Sequence, residues 1–177
     1  MRASIAAGAR IVNDVTALTG DDDSLAVVAD AGVDVILMHM QGEPRTMQVR
    51  PSYKDVVKDV YSYLVSRISA CKSAGVPKER IAVDPGIGFG KALQHNLSLI
   101  AYIDTLQSLG TAVVLGASRK QFIGQISDVE EAADRVVGSV ASVLAARARG
   151  AQIFRVHDVI ETRQALSVWE AIADARC

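Results

Sequence analysis

Arg80-Ile81-Ala82-Val83-Asp84-Pro85-Gly86-Ile87-Gly88-Phe89-Gly90-Lys91 carries the signals from which the fold can be read. Arg80–Val83 is an apolar, β-branched run without alternation, which reads as a strand buried on both faces. It stops at a carboxylate and a proline, then gives way to glycines at every second position. Four other runs repeat the pattern: Arg10–Val15 (RIVNDV), Asp34–Met38 (DVILM), Ala112–Leu115 (AVVL) and Ala151–Val156 (AQIFRV).

Helical spacing fills the intervals. Ser52–Ala74 places Val57, Val60, Leu64, Ile68 and Cys71 three and four residues apart on one face. Val129–Arg149 does the same with Ala133, Val136, Val140, Val143 and Leu144. Gly32, Gly75, Gly110 and Gly150 each fall between a helical stretch and the next strand, where a helix C-terminal glycine is expected. Ala3–Ala9 reads as the last turns of a helix. Strict β/α alternation predicts a parallel sheet, either doubly wound or part of a (β/α)8 barrel. Five units in 177 residues average about 35 each, so eight need roughly 280, near the barrel norm of about 250. Periodicity leaves both architectures open.

The totals set outer limits. The length suits one domain with a substantial core. Half the residues are hydrophobic and 22% are charged, an ordinary globular profile. A formal net charge of −1 gives no electrostatic reason for a nucleic acid or anionic membrane partner. Cys71 and Cys177 lie far apart with no CxxC spacing, as for two incidental thiols in a reducing compartment. No signal-like h-region and no run of about 20 apolar residues is present, which points to a cytoplasmic protein.

Each of the five runs ends in polar residues: Asn13-Asp14, His39, Asp84-Pro85-Gly86, Ser118-Arg119-Lys120 and Arg155-Val156-His157-Asp158. Core packing does not call for charge there, whereas both candidate architectures build their sites at that edge. Asn13 and Asp84 offer a carboxamide and a carboxylate, a pair suited to the donor-acceptor edge of an aminopyrimidinone ring. Lys120, Arg155 and His157 supply cationic donors for an oxyanion such as phosphate or pyrophosphate. Gly86–Lys91 permits close backbone approach to a ligand but has neither P-loop nor dinucleotide-fingerprint spacing. His39, His95 and His157 are not at metal-ligand spacing, so no residue is assigned to a metal, and His95 reads as a solvated surface residue.

Taken in order, Asn13-Asp14-Val15, Met38-His39-Met40 with Gly42-x-Pro44-x-Thr46-Met47-Gln48, Asp84–Lys91, Gly116-x-Ser118-Arg119-Lys120 and Arg155–Val159 resemble the motifs of dihydropteroate synthases. The resemblance spans the chain from about Gly8 onward. It implies an α/β fold, a partial TIM (β/α)8 barrel of about five βα units (strands four to eight), with residues 1–177 as a single pterin-binding barrel domain, N-terminally truncated. It implies a folate-biosynthesis transferase that joins 6-hydroxymethyl-7,8-dihydropterin diphosphate to 4-aminobenzoate, releasing pyrophosphate, with Mg²⁺, and a homodimer at full length. Asn13 and Asp84 would hold the pterin, and Lys120 would donate to it beside the aminobenzoate. Arg155 and His157 would bind the departing pyrophosphate. Asp84 and Lys120 would be the catalytic pair, Asp84 stabilising positive charge as the C–O bond loosens. Phe89 and Pro44 would wall the aminobenzoate pocket.

The resemblance also marks departures. The loops that carry the family's first-strand Asn and its Thr-Arg pair, and the third-strand Asp, have no counterpart here, and Gln121 stands where the family often has Ser. A partial sequence or a mis-assigned start at Met1 is the expected explanation. Two competing readings are a non-catalytic remnant or pterin-binding module, and the pterin-binding domain of corrinoid methyltransferases. Intact Lys120, Arg155 and His157 argue against the first. The Ser-Arg-Lys and Arg-Val-His-Asp segments argue against the second. With three units missing the barrel cannot close, and its outer strands would present open edges. The isolated chain is therefore expected to be poorly stable and inactive; a thermal melt showing a cooperative, soluble monomer would overturn this.

Overall fold

The computed structural model describes residues 1–175, so the thiol of Cys177 lies outside the described residues. Five short strands form the centre: β1 (Ile11–Asp14), β2 (Asp34–Met38), β3 (Ile81–Asp84), β4 (Ala112–Leu115) and β5 (Ile153–Phe154). Helix α1 (Arg2–Ala6) precedes them. The connections are α2 (Ser24–Ala31), α3 (Val56–Ser73), α4 (Leu93–Ala101), and the pair α5 (Gln121–Ser127) and α6 (Val136–Arg147). Helix α7 (Val159–Asp174) follows β5.

All strand pairs are parallel, and the spatial order β1-β2-β3-β4-β5 repeats the chain order. A doubly wound sheet reverses its order at a switch point; this one never does, which decides for the barrel. The sheet also curls. Were it flat, four strand spacings of about 4.8 Å would separate β1 from β5 by about 19 Å. Instead the Arg155 guanidinium, one residue beyond β5, reaches Asn13 of β1 at 2.9 Å. The five strands are an arc of a barrel with every carboxyl end on one rim.

Burial follows position in the arc. Strand β3 is buried at all four positions, and Val35, Leu37 and Met38 of β2 and Val113–Leu115 of β4 are inaccessible or nearly so. The expectation of burial on both faces fails for the outer strands: Ile11 is 57% exposed and Ile153 41% exposed. Each outer strand has a neighbour on one side only among the described residues, so it is flanked by less of the core. The same lack of a second neighbour accounts for the shortness of β5.

Helix α3 shows why the sequence signal was good in register and loose at the ends. Its N-cap is Asp55, whose Oδ1 accepts from the backbone N–H groups of Val57 and Lys58 at 3.2 Å each. Residues 52–55 are therefore not helical, and the buried stripe runs Val56, Val60, Leu64, Ile68, Cys71. Val57 turns to the flank. Between β4 and β5 the helix expected from Val129 begins only at Val136, after a short 3-10 turn, and buries Ser139, Val143 and Ala146. Ala133 is exposed and Val136, Val140 and Leu144 are only half-buried; Arg135, described below, holds the loop that delays the start. The four glycines between a helical stretch and the next strand do occupy positive φ.

Leu64, fully buried at the middle of α3, is the test of this packing. Leu64→Ala should cost about 3 kcal/mol, read as a fall in thermal midpoint. Val65→Ala, on the exposed side of the same turn, should change stability by less than about 0.5 kcal/mol.

Candidate functional site

The five polar clusters separate by role once the rim is assembled. In β1, Asn13 faces the mouth of the arc, while Asp14 folds back on its own loop. Its carboxylate accepts from Thr16 N–H, Thr16 Oγ1 and Leu18 N–H at 3.1, 2.8 and 2.7 Å. In β3, Asp84 is fully buried. Its Oδ1 accepts from Gly86 N–H at 2.7 Å and its Oδ2 from Arg155 Nη2 at 2.8 Å. Arg155 Nη1 donates to Asn13 Oδ1 at 2.9 Å. One guanidinium thus joins the ends of β1 and β3 from beyond the end of β5.

Ser118, Arg119 and Lys120 point in three directions. Ser118 Oγ accepts from His157 N–H at 3.1 Å and lies 3.1 Å from His157 Nδ1. Arg119 adopts a left-handed conformation, φ +58°, and its guanidinium donates to both oxygens of Asp158 at 3.1 and 2.5 Å. That pairing holds the Asp158 carboxyl below the usual carboxylate range. The Arg119 N–H is taken by Ser139 Oγ at 2.8 Å, and its carbonyl accepts from Arg135 Nη1 at 3.1 Å. The turn is locked from three sides, which leaves Lys120 over the face of Phe89, its Nζ 4.3 Å from the ring centroid. Burial draws the Lys120 ammonium below its ordinary value, against the pull of Asp84; the Arg155 charge adds to the lowering.

The loop Gly86–Lys91 is shaped by close approach. A Cβ at Gly86 would stand 1.9 Å from the His39 carbonyl oxygen, and one at Gly90 would stand 2.2 Å from that of Gln41. Only glycine at these positive-φ positions lets the loop lie against the end of β2. Lys91 then turns inward. Its Nζ meets His39 Nδ1 at 3.0 Å and donates to the carbonyls of His39 at 3.3 Å and Phe89 at 3.0 Å. Desolvation pushes its pKa down to about 7, opposed by Asp84. Asn96 of α4 completes the loop: its Oδ1 accepts from Gly88 N–H at 2.8 Å and its Nδ2 donates to the carbonyls of Lys91 and Ala92 at 3.3 and 3.0 Å.

Beside Lys120 opens a recess of about 460 Å³, bordered by Gln48, Pro51, Asn96, Gln121 and Gln125. Pro44, expected in a pocket wall, is exposed in its loop; Pro51 takes that place. The structure brings Asn13, Asp84 and Arg155 into contact, sets Lys120 on Phe89, and holds His157 against Ser118. Two residues of the rim, Lys91 and Asn96, were not singled out from sequence. Asn96 had a signal: it shares the core-facing stripe of α4 with Leu99 and Ile100, where a carboxamide needs partners. His95, read as solvated, is half-buried, accepts from Ala92 N–H at 3.2 Å through Nδ1 and lies edge-on to Tyr53. It caps the start of α4.

No group of three or more His, Cys, Asp or Glu side chains able to hold a metal ion occurs among the described residues. The groups at the mouth are cationic, and their nearest carboxylate is engaged by Arg155. This donor set fits an anion and does not by itself fit Mg²⁺. No helix of the described residues is long and apolar enough to cross a membrane.

An arc of parallel β/α units with its polar groups gathered at the strand carboxyl ends defines a β/α-barrel protein. The sequence profile of the pterin binding enzyme family matches residues 1–157. Dihydropteroate synthase from Neisseria meningitidis serogroup B is 50% identical over 170 residues, covering 93% of this chain and 59% of its own length. Dihydropteroate synthase from Stenotrophomonas maltophilia, solved with imidazole in its active site, superposes with a TM-score of 0.96 at 43% identity, covering 99% of this chain and 66% of that one. The Xanthomonas albilineans enzyme in complex with 7,8-dihydropteroate gives a TM-score of 0.91 at 46% identity, over 97% and 62% of the two chains. This chain belongs to the pterin binding enzyme family, and spans about three fifths of the length of the curated relatives it matches.

The inward Lys91–His39 contact makes stability depend on pH. Burial, reinforced by the Lys91 charge, pushes the His39 pKa down from 6.5 to about 3. Between those values an unfolded chain binds a proton that the folded chain refuses, so stability is lost as pH falls through that window. The urea midpoint should drop between pH 7 and pH 4. His39→Asn, whose amide oxygen keeps an acceptor for Lys91, should flatten that drop.

Proposed function

We propose that these residues form the pterin- and diphosphate-binding part of a dihydropteroate synthase, which condenses 6-hydroxymethyl-7,8-dihydropterin diphosphate with 4-aminobenzoate. The observation that carries the reading is the meeting of Asn13, Asp84 and Arg155 at one rim, with Lys120 and His157 beside them. A relative at 46% identity was solved holding 7,8-dihydropteroate, the condensation product.

In this reading Asp84 accepts from the amino and N–H groups of the pterin ring and Asn13 pairs with the same edge. The methylene C–O bond breaks, pyrophosphate departs with the bonding pair, and the arylamine nitrogen forms the new C–N bond and loses a proton. The Asp84 carboxylate stabilises positive charge growing on the ring, and Arg155 and His157 stabilise negative charge on the leaving group. Lys120, held on Phe89 at the edge of the recess, donates to the ring and faces the incoming aminobenzoate. These residues offer Mg²⁺ no ligand set of their own among the described residues, so any Mg²⁺ would be held by the diphosphate. Residues 1–177 act as one barrel domain of a cytoplasmic enzyme, which at full length self-associates through the apolar face of α7, where Val168 and Ile172 are exposed one turn apart.

Dihydropteroate formation by a full-length protein that carries these residues, followed with and without Asp84→Asn, tests the reading. The substitution should lower the rate on the order of a hundredfold. Because the chain spans three fifths of its relatives' length, pterin binding is measured alongside: binding without turnover would restrict these residues to holding the ring, and no binding would overturn the proposal.

A further inference from the structure

Arg155 leaves the end of β5 but spends its hydrogen bonds on the far side of the mouth. Its fork presents Nη1 to Asn13 Oδ1 and Nη2 to Asp84 Oδ2, at 2.9 and 2.8 Å. The side chain crosses directly over Gly116 at the end of β4, where a Cβ would stand 2.4 Å from Nη2. Glycine there is what allows the crossing. The bound group is a planar CN3 unit with two N–H donors aimed at a carboxylate and a carboxamide. A pterin presents the same unit, since its 2-amino-pyrimidinone edge is a cyclic guanidine.

Resting on the pterin reading above, we propose that Arg155 is the specificity-determining residue of this site: it occupies the Asn13–Asp84 edge in place of the ring, and favours pterins that carry a diphosphate over those that do not. A carboxylate out of water needs a partner, and Arg155 is that partner here. An entering ring must break both of its hydrogen bonds. A pterin without a diphosphate leaves the displaced cation to solvent. A pterin with one offers it an oxyanion within the same mouth, beside His157. The cation is the mobile partner of the pair, because 43% of the Arg155 side chain is exposed against 1% for Asp84. Occupancy of the edge by Arg155 lowers apparent affinity for any competitor by the fraction of time the edge is filled. An anion that draws Arg155 away restores it, and the coupling runs equally in both directions.

Binding of 6-hydroxymethyl-7,8-dihydropterin and of its diphosphate is measured by titration calorimetry on the wild-type chain and on Arg155→Met. The diphosphate-free pterin should bind the variant tighter on the order of tenfold, and the diphosphate weaker by a similar factor. In the wild type, inorganic pyrophosphate should tighten the diphosphate-free pterin on the order of tenfold, and in the variant it should not. If Arg155→Met binds the diphosphate-free pterin no better than wild type does, the proposal is overturned while the pterin reading stands. If neither protein binds either pterin, the pterin reading itself falls. Should circular dichroism show the variant unfolded, the pyrophosphate effect on the wild type decides alone, and its absence overturns the proposal.

Discussion

Asp84 sits at the end of the most buried strand, with no exposure to solvent. A charged carboxylate in that position is tolerable only with hydrogen-bond donors on both oxygens. One donor comes from its own loop, the Gly86 N–H, and requires the tight glycine turn that follows β3. The other is a guanidinium from the opposite side of the arc. That second requirement is a constraint on the whole sheet. The curl must bring β5 close enough for Arg155 to span it, β4 must be followed by glycine, and the ends of all five strands must share a rim.

Around that pair the remaining polar residues act as cross-ties between successive βα loops. Lys91 ties the glycine loop to the end of β2, Asn96 ties the same loop to α4, and Arg119 ties the β4 loop to the start of α7. Lys91 and Asn96 have their hydrogen-bonding capacity met inside the protein, and Arg119 is held by both oxygens of Asp158, so each holds geometry. The groups left over, Lys120 and His157, are those whose orientation the ties fix. A site needs its contacting groups held by a second set of residues to stay in register, and here the division falls within single clusters. Of Ser118-Arg119-Lys120, two residues brace the rim and the third faces the recess.

Much of this was legible in the chain. The apolar runs located all five strands, the glycines located the helix ends, and the polar run-ends located the rim. The apolar stripe of α3 was read correctly in phase because burial recurs at helical spacing whatever the cap does. Its start was misplaced because Asp55 competes for the first backbone N–H groups, an effect of one side chain that a periodicity does not register. The outer strands were read as buried because composition reports what a segment can bury, while burial depends on having a neighbour on each side. His95 looked like a surface residue because the ring it lies against, Tyr53, comes from a loop more than 40 positions away.

The sequence by itself determined the α/β class, the family, and the set of polar residues that gather at the rim, because each is carried by local pattern and motif order. It did not determine which member of each polar pair faces the mouth, nor that Arg155 pairs with Asn13 and Asp84. Those depend on the curl of the sheet and on single left-handed turns such as Arg119, which act over distances no local window contains. Asn13 and Arg155 stand 142 positions apart in the chain; only a curled arc of parallel strands, with its ends drawn toward each other, puts a guanidinium from one within reach of the other.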